Sequence, residues 1–301
     1  MDGEMSRRPT GAGAVEIRTP AQQAQPLVLA SPHSGCAYPA EFIAASRLDP
    51  LSLRRSEDSF VDELFAAAPR LGAPLIAARF PRAYLDPNRE AWELDPAMFS
   101  DALPHFVNAH SPRVRMGLGT IARIVASGEE IYAKKLRFAE ARRRIDGLYR
   151  PYHRELQNLL AATEARFGGY LLLDCHSMPS AAWAAGAEGA ADIVLGDCHG
   201  RACAPEILAA SRRFLVQRGF SVAVNTPYAG GFTTEHYGCP ARHRHALQIE
   251  ICRALYMDER TYRRKPSFTR LADELAVFVE RLGAIARASL PQPVPLESAA
   301  D

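Results

Sequence analysis

The sequence predicts an α/β protein with a largely parallel or mixed sheet. Short apolar runs over residues 27–30, 74–80, 170–173, 193–195, 220–224 and 246–252 have the length and bounding residues of buried strands. Stretches over 131–167, 205–217 and 267–282 read as helices. The two kinds alternate along the chain, the arrangement that packs helices against a sheet.

Each element has a local reason. Residues 1–25 carry charges without an apolar segment; they read as a disordered leader and not as a secretory signal. The run Leu27-Val28-Leu29-Ala30 is bounded by prolines. Ser56 can cap a helix whose apolar positions are Phe60, Val61, Leu64, Phe65 and Ala68, with Gly72 as its stop. The strand over 74–80 leads into an extended loop to Arg89. Residues 91–115, with Pro96, Pro104 and Pro112, read as irregular, and 121–126 as a strand. The helical stretch 131–167 contains Pro151, either a break or a new first turn, and Gly168-Gly169 ends it. The helix over 205–217 stops before Gly219, and that over 267–282 before Gly283. Residues 286–301 read as a flexible tail. With no internal repeat and no linker, residues 26–285 read as a single α/β domain.

The 301 residues are 48% hydrophobic and 23% charged, enough for a sizeable core without staples. Lys and Arg number 36 against 34 Asp and Glu, a net charge of +2 that argues against a nucleic-acid or polybasic membrane partner. The basic helical stretch over 133–166 lacks aromatic platforms and reads as a solvated face. No run of 18 apolar residues exists, so no spanning helix is expected. A cytoplasmic location is expected, and with it six reduced cysteines: Cys36, Cys175, Cys198, Cys203, Cys239 and Cys252. Neither a C-x-x-C pair nor a G-x-S-x-G elbow occurs. Gly117-Leu-Gly119-Thr-Ile-Ala122 mimics a dinucleotide fingerprint, but a strand follows where a helix is required.

Two histidines, His33 and His176, sit at the carboxyl ends of predicted strands, where open α/β sheets place ligands. Two imidazoles at one rim can share a metal or be unrelated. A third ligand must come from Asp58, Glu57 or Asp174, although an acid in a helix's first turn also just complements the dipole. In the strand around Glu250, Leu247, Ile249 and Ile251 share one face, and Gln248 and Glu250 the other. Glu250 is either on a solvated edge or a buried general base. Arg82 and Arg89 follow a strand; each is a surface arginine or a carboxylate fork. Cys175 and His176 point to opposite faces and form no nucleophile–base pair. Asp197-Cys198-His199 repeats the D-C-H order, but His199 reads as a loop histidine.

Six motifs in order carry a resemblance: Ser31-Pro32-His33-Ser34-Gly35; Glu57-Asp58-Ser-Phe-Val-Asp-Glu-Leu; Asp86-Pro-Asn88-Arg89; Asp174-Cys-His176-Ser177-Met178; Asn225-Thr-Pro-Tyr-Ala-Gly230-Gly231; and His245-Ala-Leu-Gln248-Ile-Glu250. Over residues 26–260 the chain resembles the N-formylglutamate amidohydrolase family, which is similar to zinc carboxypeptidases and aspartoacylases. The resemblance implies a three-layer α/β/α fold, phosphorylase/hydrolase-like, around a mixed, mostly parallel sheet. It implies one Zn²⁺ per chain, held by His33, Asp58 and His176, with Glu57 as the rival of Asp58 because the clan's usual His-x-x-Glu pair is missing. Glu250 matches the carboxylate that activates the metal-bound water, and Arg82 an arginine that polarises the scissile carbonyl. Asn88 and Arg89 match the substrate-carboxylate clamp. Gly230 and Gly231 let backbone approach a ligand or merely make a turn.

The implied substrate is an N-formyl or small N-acyl amino acid, foremost N-formyl-L-glutamate, with formate as the small product. The competing readings are a zinc hydrolase of another N-acyl amino acid or short peptide, and a metal- or ligand-binding protein without turnover.

Overall fold

In a computed structural model of the chain, residues 7–10, 13–183 and 191–291 are described. The eight strands of the main sheet are β1 (Arg7–Thr10), β2 (Val15–Arg18), β3 (Leu27–Ser31), β4 (Leu75–Ala78), β5 (Tyr170–Met178), β6 (Ile193–Gly196), β7 (Val222–Val224) and β8 (Arg244–Cys252). Their order is β1-β2-β4-β3-β5-β8-β6-β7. The centre, β4-β3-β5-β8, is parallel throughout, and β6–β7 is a further parallel pair. Antiparallel pairings join β1 to β2, β2 to β4, and β6 to β8.

Helices cover both faces. Leu27, Leu29, Leu171, Leu173, Leu247 and Ile249 pack toward the helices Val61–Leu64, Pro205–Gln217 and Phe268–Ser289. Val28, Ala30, Leu172 and Ala246 face the other way, against Ile145, Tyr152 and Leu156 of the long helical segment over 138–167. Each central strand is therefore apolar on both faces, which is why the sequence shows continuous runs there. The result is a three-layer α/β/α fold around a mixed, mostly parallel sheet.

The long segment is one continuous helix with a wide turn inside it. Phe138–Arg144 is α-helical, Ile145–Tyr149 makes a π-turn, and Arg150–Phe167 is α-helical again, with Pro151 in its first turn. Proline has no N–H to give to the preceding turn, so a change of pitch falls just before it.

Several local expectations are corrected. The leader does not stay disordered to residue 25: Val15 and Ile17 are buried in β2, a short strand whose apolar–polar alternation is only four residues long. Ser56 does not cap the next helix. It closes the short helical turn Arg54–Ser56, and the helix Val61–Leu64 starts instead from left-handed Phe60. Residues 121–126 form no strand; Ile124 makes a single bridge to Glu130. Residues 131–137 are not helical, since Tyr132 and Leu136 make bridges to Ser46 and Phe99. The last helix runs through Gly283 to Ser289 because Ile285 and Ala286 extend its buried stripe. A Cβ at Gly283 would lie 2.5 Å from the Gln25 side chain, so the glycine lets helix and chain meet closely. Residues 286–289 are thus helix and not tail, while 292–301 lie outside the described residues.

Candidate metal centre and catalytic cleft

The parallel register assembles half of the site directly. On β5 and β8, Asp174 pairs with Gln248 and His176 with Glu250. Partners on adjacent strands project to the same side, about 5 Å apart along the sheet. Glu250 is therefore on no edge: β8 lies between β5 and β6. Cys175 points into the opposite core layer. His33 enters from two residues past β3, and the Asp58 N–H donates to the His33 carbonyl oxygen at 3.1 Å, tying the two loops together.

His33, Asp58 and His176 converge, all buried, with one ligand atom from each lying within 4.8 Å of the others. Asp58 Oδ2 is 3.3 Å from His33 Nδ1 and 3.0 Å from His176 Nδ1. The far nitrogens also meet carboxylates: His33 Nε2 lies 2.6 Å from Asp86 Oδ1, and His176 Nε2 lies 3.0 Å from Asp174 Oδ1. The Asp86–His33 contact is a hydrogen bond of the kind that orients a metal-ligating histidine, whereas Asp174 Oδ1 lies close to His176 without hydrogen-bond geometry. Two imidazole nitrogens and one carboxylate oxygen are a donor set suited to zinc. The residues present fit the metal.

Of the three acids open as third ligand, Asp58 faces both imidazoles. Glu57 is turned away, accepting from Tyr38 Oη at 2.6 Å, Ser59 Oγ at 2.7 Å and Arg54 Nε at 3.0 Å. Asp174 stands behind His176 and accepts from Thr234 Oγ1 at 3.0 Å.

A cleft of about 450 Å³ opens on this centre, lined among others by Asp58, Arg82, Arg89, Tyr228, Glu250 and Arg253. Burial pushes the Glu250 carboxyl up to about 7; the nearby His176 imidazole opposes this and the Asp58 charge adds to it. Gln248 Nε2 donates to Glu250 Oε1 at 3.0 Å and fixes its orientation. Burial also raises Asp58 and Asp86, but it is outweighed. The His176 and His33 imidazoles hold Asp58 well below the usual carboxylate range. The Arg82 guanidinium and His33 do the same for Asp86. Asp86 thus joins two parts of the site, since its other oxygen accepts from Arg82 Nη2 at 2.7 Å.

The remaining expected site residues divide. Arg82 and Arg89 line the cleft. Arg89 is held from behind: its Nε donates to the Leu118 carbonyl at 2.9 Å and its Nη1 to the Asn88 carbonyl at 2.7 Å. Asn88 and Gly231 are not among the cleft-lining residues. The Asn88 amide is engaged by the protein, with Nδ2 3.0 Å from His176 Nε2 and Oδ1 accepting from the Thr233 N–H at 2.7 Å. A Cβ on Gly231 would lie 2.3 Å from that amide, so the close approach this glycine permits is to Asn88.

The sequence alone points to no role for Asp86 or Arg253. Asp86 stands in the Asp86-Pro-Asn88-Arg89 motif, and its signal is the need of a metal-ligating histidine for a carboxylate partner. Arg253, which donates from Nη2 to Asp58 Oδ1 at 3.0 Å, had no such signal. All six cysteines are free. No helix among the described residues is long and apolar enough to cross a membrane.

The comparisons with known proteins agree with one another. The model of the family described as N-formylglutamate amidohydrolase matches residues 25–257. The chain is 28% identical to an N-formylglutamate deformylase of Pseudomonas putida over 237 residues, covering 78% of this chain and 82% of that protein. It is 30% identical to an N-formylglutamate deformylase of Pseudomonas aeruginosa over 238 residues, covering 78% and 83%. The crystal structure of an N-formylglutamate amidohydrolase from Ralstonia eutropha superposes with a TM-score of 0.87 at 39% identity, over 92% of this chain and 100% of that one.

Proposed function

Because the chain belongs to the N-formylglutamate amidohydrolase family, we propose that it is a metal-dependent hydrolase that cleaves N-formyl-L-glutamate to glutamate and formate. The observation that carries this reading is the pairing of a buried His33–Asp58–His176 donor set with a buried base candidate, Glu250, on the strand next to His176. A site that only stored metal would have no use for that carboxyl.

His33, Asp58 and His176 would hold one zinc ion. Zinc supplies Lewis acidity toward a carbonyl oxygen and makes water more acidic. Glu250 takes a proton from the water that attacks the formyl carbon. It then delivers that proton to the departing nitrogen, so the C–N bond breaks to give the free amine and formic acid. Arg82, anchored by Asp86, faces the cleft with positive charge for the developing oxyanion. Arg89, its Nε and Nη1 fixed on backbone carbonyls, is preorganised to hold a substrate carboxylate, converting binding into orientation. Asn88 we assign to holding His176, and Gly231 to admitting Asn88.

The test is formate release from N-formyl-L-glutamate by the purified protein, with elemental analysis of the same sample. About one zinc per chain and formate release that stops on chelation are expected. Preference for acetyl or peptidyl donors in a panel of N-acyl amino acids would shift the substrate and keep the mechanism; no hydrolysis of any member would refute the proposal.

A further inference from the structure

The two oxygens of Asp58 have been given different work. Oδ2 faces both imidazole Nδ1 atoms. Oδ1 accepts from Arg253 Nη2 at 3.0 Å and from Ser177 Oγ at 3.2 Å. Arg253 is itself fixed, with Nε donating to Ser177 Oγ at 3.1 Å and Nη1 to the Arg55 carbonyl at 3.2 Å. Every donor nitrogen of this buried guanidinium is therefore assigned, and Arg253 sits three residues beyond Glu250, where β8 ends.

From this we infer that Arg253 is a positioning residue that restricts Asp58 to one-oxygen coordination and so keeps a coordination position open beside Glu250. The inference rests on the metal reading above. A free aspartate beside a divalent cation can offer one oxygen or both. Here the second oxygen is already bound by two donors, one of them charged, and charge-assisted bonds of this kind are about twice as strong as neutral ones. Catalytic zinc sites differ from structural ones in keeping a position free for water or substrate. The plainer role, neutralising a buried carboxylate, is separable from this one. Lysine would supply the charge but not the planar fork that reaches Asp58, Ser177 and the Arg55 carbonyl together.

The test uses the cobalt(II)-substituted full chain, because cobalt absorption reports coordination number without turnover. Wild type, Arg253→Met, Arg253→Lys and Ser177→Ala are compared for absorption spectrum, metal affinity by chelator competition, kcat and KM. The expected result is a shift toward a higher-coordinate spectrum in both Arg253 variants and a smaller shift in Ser177→Ala. Metal affinity should change by about 10-fold or more in Arg253→Met, and kcat should fall at least 10-fold with KM changed much less. Full recovery of spectrum and kcat in Arg253→Lys would reduce the residue to a counter-charge and overturn the inference. If Arg253→Met does not fold, Arg253→Lys and Ser177→Ala decide, and wild-type spectra in both overturn it. Wild-type protein that takes up no cobalt overturns the metal reading itself, a distinct result.

Discussion

His176 and Glu250 are register partners on neighbouring parallel strands, so the proposed metal ligand and the proposed base are held by the same ladder of backbone hydrogen bonds. Neither can shift along the sheet without breaking pairings that continue from Tyr170–Arg244 to Met178–Cys252. Sites built on strands hold tighter tolerances than sites on loops, and the proposed base and one proposed ligand sit there.

Glu250→Gln keeps the side chain's size and removes its basicity. Formate release should fall by roughly 10²–10⁴-fold, the usual contribution of a general base, while metal content by elemental analysis stays at the wild-type level. Loss of metal together with activity would instead make Glu250 a ligand.

The pH profile follows from the same group. Burial, the largest influence, lifts the Glu250 carboxyl to about 7 in the metal-free protein. A neighbouring divalent cation favours the charged form and moves it down. Since the base acts when deprotonated, kcat/KM should rise with pH and level off, with its acidic limb below about 7. Chelated protein followed by carboxyl infrared absorption should titrate higher than loaded protein. Equal midpoints would place Glu250 out of reach of the metal.

Asp86→Ala removes the carboxylate behind His33 Nε2 and the anchor of Arg82 at once. Loss of an outer-shell partner of this kind costs about 10–100-fold in metal affinity or activity. Chelator competition should show a drop of that size, and restored metal saturation should leave kcat low because Arg82 stays unanchored. Full activity at saturating metal would confine Asp86 to holding His33.

What the sequence made legible was whatever strand periodicity controls. The facing of Glu250, Gln248, Asp174 and His176 follows from alternation plus parallel register. The convergence of His33 with Asp58 does not, because it depends on two loops joined by one backbone hydrogen bond. Val15 and Ile17 were hidden for a different reason: a four-residue strand carries too little pattern to stand out from a polar leader. Asn88 is the sharpest difference. Its neighbour Arg89 faces the cleft, whereas the Asn88 amide turns to His176 and the Thr233 N–H. One residue of displacement along an irregular loop decides this, and no periodicity governs it.

His153 should make stability acid-sensitive. Its Nε2 donates to the Pro87 carbonyl at 2.9 Å and its Nδ1 accepts from Tyr237 Oη at 2.8 Å. Burial lowers its pKa from 6.5 to about 4. Between those values the unfolded chain binds more protons than the folded one, so unfolding free energy falls as pH drops through this window. The shift corresponds to roughly 3 kcal/mol lost between neutral pH and pH 4. Urea melts of wild type and His153→Gln across this range should show a flatter dependence in the variant. Parallel curves would exclude His153 as the source.

The π-turn makes the last prediction. Arg144 precedes it, Tyr149 ends it, and His153 follows one turn later. The spacing of five between Arg144 and Tyr149 would put them on different faces of a regular α-helix, but the wider turn brings them into line. All three then reach carbonyl oxygens of one loop: Arg144 that of Tyr84 at 3.1 Å, His153 that of Pro87, and Tyr149 that of Arg89 at 2.9 Å. This loop carries Asp86 and Arg89, so the helix sets the height at which both meet the cleft. Tyr149→Phe removes one donor and leaves the Arg89 carbonyl without it, at a cost of about 1 kcal/mol. Because Arg89 is assigned to the substrate carboxylate, the effect should be a several-fold rise in KM for N-formyl-L-glutamate, with metal content and melting temperature nearly unchanged. A fall in kcat at constant KM would show instead that the helix acts on the chemistry through Asp86.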